Sequence, residues 1–266
     1  MFYTIRVPAS SRRPNTPPSR GEPAPALPAA PRRVARRPKV SSRQAGLSVE
    51  AIVAAAIDAL DESGLAGLSM RGVADRLGTG AASLYSYVSG REELLELIYD
   101  ELVGRVALPD PDPDRWREQL HQMLRDLRDI LIAHRDAALA GLGRVPTSPQ
   151  TLRAAEALAA VLRAGGLSDY AIALGLDQLI LYVSACAFEA GVYRHADMSA
   201  AEVDRYFQEV HTFYEALPPE RFPVLASIAP QMTGHDADAR FEFGVNLLIA
   251  GLERDPQPPA PVQLRG

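Results

Sequence analysis

From residue 48 onward, apolar positions recur three or four residues apart, and the chain reads as one helix after another. Ser48 is placed to cap a helix running to about Ser63, with positions 49, 52, 53, 56, 57 and 60 on one stripe and Gly64 ending it. A short helix follows from a Ser69 cap, with Val73, Ala74 and Leu77 on its apolar face. Gly78 breaks it where the backbone must turn sharply. Ala81 to Tyr87 predicts a second short helix that turns Leu84 inward and leaves Ser83, Tyr85, Ser86 and Tyr87 for partners. Ser89 and Glu92 have the spacing of a capping box, which opens a longer helix from Arg91 to about Ala107 through Leu94, Leu95, Ile98 and Leu102. Two short helices joined by a tight turn form a helix-turn-helix, whose second helix enters the DNA major groove.

A Pro/Asp stretch from Pro109 to Pro113 marks a domain boundary. Beyond it, helical patterns run at about 114–134, 149–165, 168–194, 199–216 and 237–254, and no alternating strand or hairpin turn appears. The predicted class is all-α, with a three-helix helix-turn-helix domain at 45–107 and a helical-bundle regulatory and dimerisation domain at 114–254. Two of these helices are apolar on more than one face. Between 171 and 188 only Asp177, Gln178 and Ser184 are polar, and between 241 and 252 only Glu242 and Asn246. A helix apolar all round must be covered twice, by its own bundle and by a partner, which predicts a homodimer built from 168–194 and 237–254. Gly244 and Gly251 are placed to permit close helix approach. No apolar run of bilayer-spanning length is free of charge, the nearest being interrupted at Asp177, so no membrane association is expected.

Composition changes this picture at the ends. Residues 1–44 hold nine of the 22 prolines and ten basic side chains against the single acid Glu22, a net +9. The other residues, with 18 basic and 32 acidic side chains, then carry −14. The basic segment buries too little apolar surface to offset its ordering entropy and reads as a disordered tail, as does 255–266. Beside a DNA-binding head, a basic arm reaches phosphates or a minor groove. An unengaged tail, a start-site artefact and a transit peptide are the alternatives. About 220 remaining residues suffice for a small head and a larger bundle. One cysteine excludes a disulfide scaffold and fits a reducing cytoplasm.

Residues 47–107 strongly resemble the DNA-binding domain of the tetracycline-repressor (TetR) family of bacterial transcription regulators. The opening helix, Gly64, the Leu68-Ser69 entry and Gly78 carry the resemblance, with Leu84-Tyr85-Ser86-Tyr87-Val88 and Arg91-Glu92-Glu93-Leu94-Leu95. Further on, Trp116-Arg117, Ala133-His134-Arg135-Asp136, Arg144-Val145-Pro146-Thr147 and Phe241-Glu242-Phe243-Gly244 through Gly251-Leu252-Glu253 resemble the regulatory domain of the tetracycline-repressor subgroup. The resemblance implies a homodimer that binds palindromic operator DNA and is released by a small-molecule effector. It implies a base-reading role for Arg71, phosphate or base contacts for Ser83, Tyr85 and Tyr87, and a phosphate contact for Arg91. Ser69 and the amides behind it form an anion-friendly helix start, while Arg76 reads as a solvated charge. Gly80, Ala81 and Ala82 depart from the longer polar side chains usual in the family. Readout then shifts to Arg71, to thymine-methyl contact with Ala81 or Ala82, and to the hydroxyls of Ser83, Tyr85, Ser86 and Tyr87.

The resemblance also bears on the effector. The positions matching the subgroup's drug–magnesium ligands are Met123, Leu127, Gly141 and Arg144, with Glu189 alone retained, so tetracycline and magnesium are not expected. Trp116, Leu120, Met123, Leu127, Leu142, Leu179, Val183, Cys186 and Phe188 are candidate lining residues for an apolar ligand. His121, Gln178 and Tyr182 are candidate polar anchors. For each apolar position the alternative is a dry core. Cys186, among Ala185, Ala187 and Phe188, reads as a small buried residue rather than a redox sensor. His121 and His134 stand 13 apart, on different helix faces, and no catalytic triad, paired acids or phosphate loop occurs. No cofactor and no metal are expected. The competing class is an all-α enzyme or binding protein of similar appearance, which sequence-specific DNA binding without turnover excludes. Within the regulator class, an activator or an effector-independent regulator is the alternative to a repressor.

Overall fold

A computed structural model describes residues 47–143, 145–195, 199–233 and 237–254. The tails expected at 1–44 and 255–266 and the motif residue Arg144 lie outside the described residues. The helices are α1 (Val49–Gly67), α2 (Met70–Arg76), α3 (Ala81–Leu84), α4 (Arg91–Val103), α5 (Trp116–Ala133) and α6 (Ala137–Gly141). They continue as α7 (Pro149–Ala164), α8 (Asp169–Arg194), α9 (Ala200–Glu215), α10 (Pro223–Thr233) and α11 (Ala237–Leu252). Among the described residues there is no strand.

Two of the expected N-terminal caps, Ser48 and Ser69, act where the sequence places them. Ser48 Oγ accepts the Ala51 N–H at 3.1 Å and starts α1, which buries Ile52, Val53, Ala56, Ile57 and Leu60 on one face. Gly64 does not end the helix outright. It kinks it at φ 65°, ψ −178°, a conformation essentially closed to side-chain-bearing residues, and one more turn follows to Gly67. The capping box expected at Ser89 and Glu92 is displaced by one residue. Gly90 caps α4, and it is Glu93 whose carboxylate accepts the Ser89 N–H, at 2.7 Å. The same helix stops at Val103 rather than Ala107, because Gly104 caps it.

Two helices carry no readable pattern. α6 is a five-residue Ala/Leu/Gly turn, too short to show a period, and α10 begins at Pro223 and contains Pro230, which reads as a break.

One continuous apolar core runs through head and body, from Ile52 and Leu60 in α1 through Leu94, Ile98 and Leu102 in α4 to Leu120, Leu124 and Leu179 in the bundle. The Pro/Asp stretch at 109–113 therefore joins parts that share a core, with α4 packed on α6 and α7 as well as α1. α8 is the central strut, bordered by α5, α6, α7 and α11. By length and composition alone it could cross a membrane, at mean hydropathy 1.7, but its inner face is occupied by these neighbours. Its outer face leaves Leu174, Leu181 and Val192 exposed, and on α11 Phe243 and Leu247 are exposed as well. α9 and α10 pack chiefly on each other.

Candidate nucleic-acid interface and regulatory core

The helix-turn-helix is built on two buried anchors. Leu84 and Val88 are fully buried, and between them Ser86, Tyr87 and Val88 donate N–H bonds to Ser83 and Leu84 carbonyls at 2.9–3.2 Å, extending α3 by a tight turn. That leaves Ala82 and Tyr85 outward, with Ala81, Ser83, Ser86 and Tyr87 half-buried around them. Tyr87 packs its ring against the core, whereas Tyr85 is 46% exposed.

The partner helix α2 is capped by Ser69, whose Oγ accepts the Gly72 N–H at 3.1 Å, so this hydroxyl oxygen is already engaged. Arg71, in the first turn of α2, is exposed. Gly78, at φ 64°, turns the chain, and the N–H groups of Gly78 and Thr79 close α2 on the Asp75 and Ala74 carbonyls.

Two arginines do more than the sequence reading assigns. Arg76 is exposed, as expected of a solvated charge, and pairs at the surface with Glu62 of α1, whose carboxyl is held below the usual range by that hydrogen bond. Arg91, at the start of α4, donates Nη2 to the Leu65 carbonyl at 2.6 Å and Nε to the Leu68 carbonyl at 3.3 Å. Its exposed guanidinium thus ties α4 to the α1–α2 connection while sitting at the edge of the candidate DNA face.

The expected effector residues are dispersed. Trp116, Leu120, Met123, Leu127, Leu179 and Val183 are all buried in the packed core. A small cavity of about 10 Å³, room for one water, lies between Leu131, His134, Ala138 and Phe188. Of the expected set it touches Phe188 alone, itself 39% exposed. Leu142 is 38% exposed past the end of α6, and Gln178 is exposed, bonded to Asp177 at 3.2 Å.

The polar anchors are tied to protein. Tyr182 Oη donates toward the Arg240 and Phe241 carbonyls at 3.1 and 3.3 Å and its ring stacks on Phe241, so α8 and α11 are pinned together. Burial and the neighbouring Cys186 push its hydroxyl up to about 12. The close approach is possible because Gly244 carries no Cβ to meet that hydroxyl; Gly251 has open space instead. His121 lies 2.7 Å from Glu242 Oε2, an ion-pair distance without hydrogen-bond alignment, and 3.2 Å from Asn246 Oδ1. Glu242 is also held by Arg125, which keeps its carboxyl below the usual range. Cys186 is half-buried rather than fully buried, and burial pushes its thiol up, although Arg240 and Arg128 lie near enough to oppose this. Glu189 is taken by Arg240 at 3.0 and 3.1 Å, and among the described residues no three His, Cys, Asp or Glu side chains gather as a metal site.

A head-to-body joint escaped the sequence reading. Asp61 of α1 accepts the Arg135 N–H at 3.0 Å and lies 2.8 Å from His134 Nδ1, while His134 Nε2 is 3.1 Å from Arg105. Asp136, in the left-handed region at φ 56°, accepts the Leu65 N–H at 2.8 Å just past the Gly64 kink. These residues appear in the sequence only as a motif string; their α1 partners are some 70 residues away and Arg105 is 29 away.

Known proteins share this architecture. Residues 52–98 match the family model described as bacterial regulatory proteins, tetR family, and 108–255 match the tetracyclin repressor-like C-terminal domain. An HTH-type transcriptional repressor, DrrR1 of Streptomyces coeruleorubidus, is 32% identical over 84% of this chain and 81% of its own length. The class C tetracycline repressor protein of Escherichia coli is 28% identical over 78% of this chain and 91% of its own. Among solved structures, the TetR family protein ActR of Streptomyces coelicolor in complex with actinorhodin is 38% identical, with a TM-score of 0.73 over 82% of this chain and all of that one. Their names describe DNA-binding regulators rather than catalysts. The chain belongs to the TetR family of bacterial DNA-binding transcriptional regulators.

Proposed function

We propose that the chain is a repressor that binds a near-palindromic operator as a homodimer, one head per half-site in successive major grooves roughly 34–36 Å apart, and that a small, largely apolar effector releases it. The observation that carries the reading is the anchoring of α3 by Leu84 and Val88, which presents Ala82 and Tyr85 beside the exposed Arg71. Arg71 reads a guanine by its bidentate fork, Ala81 and Ala82 meet thymine methyls, and Ser69, Ser83, Tyr85, Ser86, Tyr87 and Arg91 engage phosphate and base edges. The exposed apolar faces of α8 and α11 support the self-association. The basic residues 1–44 add affinity without sequence preference. The site of action is the cytoplasm.

The effector reading is supported by the solved relative named as a complex with actinorhodin. In this chain six of the expected lining residues, Trp116, Leu120, Met123, Leu127, Leu179 and Val183, are buried in the core, so an effector reaches them by parting α5 from α8 or α11. Screening apolar and aromatic compounds by thermal shift, then adding the stabilising ones to a protein–duplex complex, tests this. Release of the duplex by at least one such compound is expected. If every compound that stabilises the free protein leaves the duplex bound, the chain is an effector-independent regulator. A selected site whose occupancy raises transcription of the adjoining gene in a reporter would make it an activator.

A further inference from the structure

α4 carries a buried carboxylate that the helix-turn-helix itself does not use. Asp100, 9% exposed, lies three residues from the end of α4, and its Oδ1 accepts the N–H groups of Gln150 and Thr151, each at 2.9 Å. These are the second and third residues of α7, whose own N-cap, Ser148, makes no side-chain bond to the helix. The first turn of α7 therefore finds its acceptor on a different helix, where the negative charge also faces the positive end of the α7 dipole. The joint is close: a Cβ on Gly104, at the end of α4, would come within 3.0 Å of Gln150 Cγ. One residue before Asp100, Tyr99 fills the space over Gly141 of α6 and is hydrogen-bonded to Ser184 of α8, so the body grips α4 from two sides. The other end of α4 begins at Arg91, bonded to the end of α1, directly after the recognition turn.

Resting on the DNA-binding reading above, we propose that Asp100 is a positioning residue for operator binding. Its carboxylate clamps α4 to the N-terminus of α7, so movement of α7 is passed along α4 to the recognition helix. Chemistry makes the clamp two-state. A buried carboxylate stripped of both donors is costly, so it either holds both N–H groups or moves out to water with α4 displaced.

The test uses the full chain and the duplex that the wild-type protein enriches from a random library. Affinity for that duplex is compared with affinity for the same duplex carrying one extra central base pair. Wild-type protein discriminates strongly between the two, because its heads are held at one separation. D100A lowers the melting temperature and, measured well below it, shrinks that discrimination about tenfold, within the range of such couplings. D100N, which keeps an acceptor, loses less. The deciding variant is D100A/S148D, which gives α7 a cap of its own and restores the melting temperature. Discrimination that stays lost in D100A/S148D supports the clamp. Discrimination that returns with stability, or that D100A never lost, overturns it, since Asp100 would then only cap α7. If D100A fails to fold, the same comparison is read on D100N and on D100A/S148D. Failure of the wild-type protein to enrich any duplex would overturn the DNA-binding reading instead, so the two failures are distinct.

Discussion

Gly64→Ala concentrates the head-to-body joint in one methyl group. At φ 65°, ψ −178° an alanine occupies a region essentially reserved for glycine, at about 1–3 kcal/mol. Its Cβ would also sit 2.6 Å from Asp136 Oδ2 and 3.0 Å from Arg135 Nε. The carboxylate can swing away, since it is a side-chain end, but it then releases the Leu65 N–H it holds at 2.8 Å, a charge-assisted bond worth about 1.5–3 kcal/mol. The total, about 2.5–6 kcal/mol, is a large share of a typical stability of about 5–15 kcal/mol. The melting temperature should fall on the order of 10 °C for a chain of this size. Calorimetry or circular dichroism melting of purified G64A reads it directly, with Asp136→Asn as a smaller perturbation that keeps an acceptor. A melt of G64A within about 1 °C of wild type would refute the argument, because strain and the lost bond act in the same direction.

Arg71→Ala should flatten the preference for one guanine in each half-site, a discrimination of about 1–3 kcal/mol, in a binding-site selection. Arg91→Ala should weaken all sites alike, lower the salt slope by about one and, through the lost Leu65 and Leu68 carbonyl bonds, lower the melting temperature as well. Phe243→Glu with Leu247→Glu, both on the exposed face of α11, should give a helical monomer by sedimentation at micromolar concentration; a persistent dimer would remove that face from the interface. Glu242, held below the usual carboxylate range by Arg125 and then by His121, contributes stability that is full above the unfolded glutamate value of about 4.3 and is lost as the pH falls through the lower folded value. Melting across that window should show the wild type converging on E242Q at the acid end; a gap constant with pH would contradict the pairing.

Helices with a sustained apolar pattern were legible in the chain: α1 from the Ser48 cap with Ile52, Val53 and Leu60, and α8 from its long apolar run. Local signals failed where they were short or contradictory, as in five-residue α6 and proline-bearing α10. The recognition turn was legible because Leu84 lies between outward-facing hydroxyls. Arg91 and Asp100 were not, since their carbonyl and N–H partners lie 23 to 51 residues away in sequence. The effector residues are not legible for another reason. A stripe such as Leu120, Met123 and Leu127 marks which side is buried, but a close-packed core and a ligand-lined one have the same pattern.

Selection of duplex sites from a random library by the wild-type protein, followed by footprinting of the enriched sequence, tests the central claim most directly. The account predicts an inverted repeat protected over two half-sites about one helical turn apart, with a guanine preference in each half that Arg71→Ala abolishes. No enrichment, or protection without two-fold symmetry and unaltered by Arg71→Ala, would contradict it.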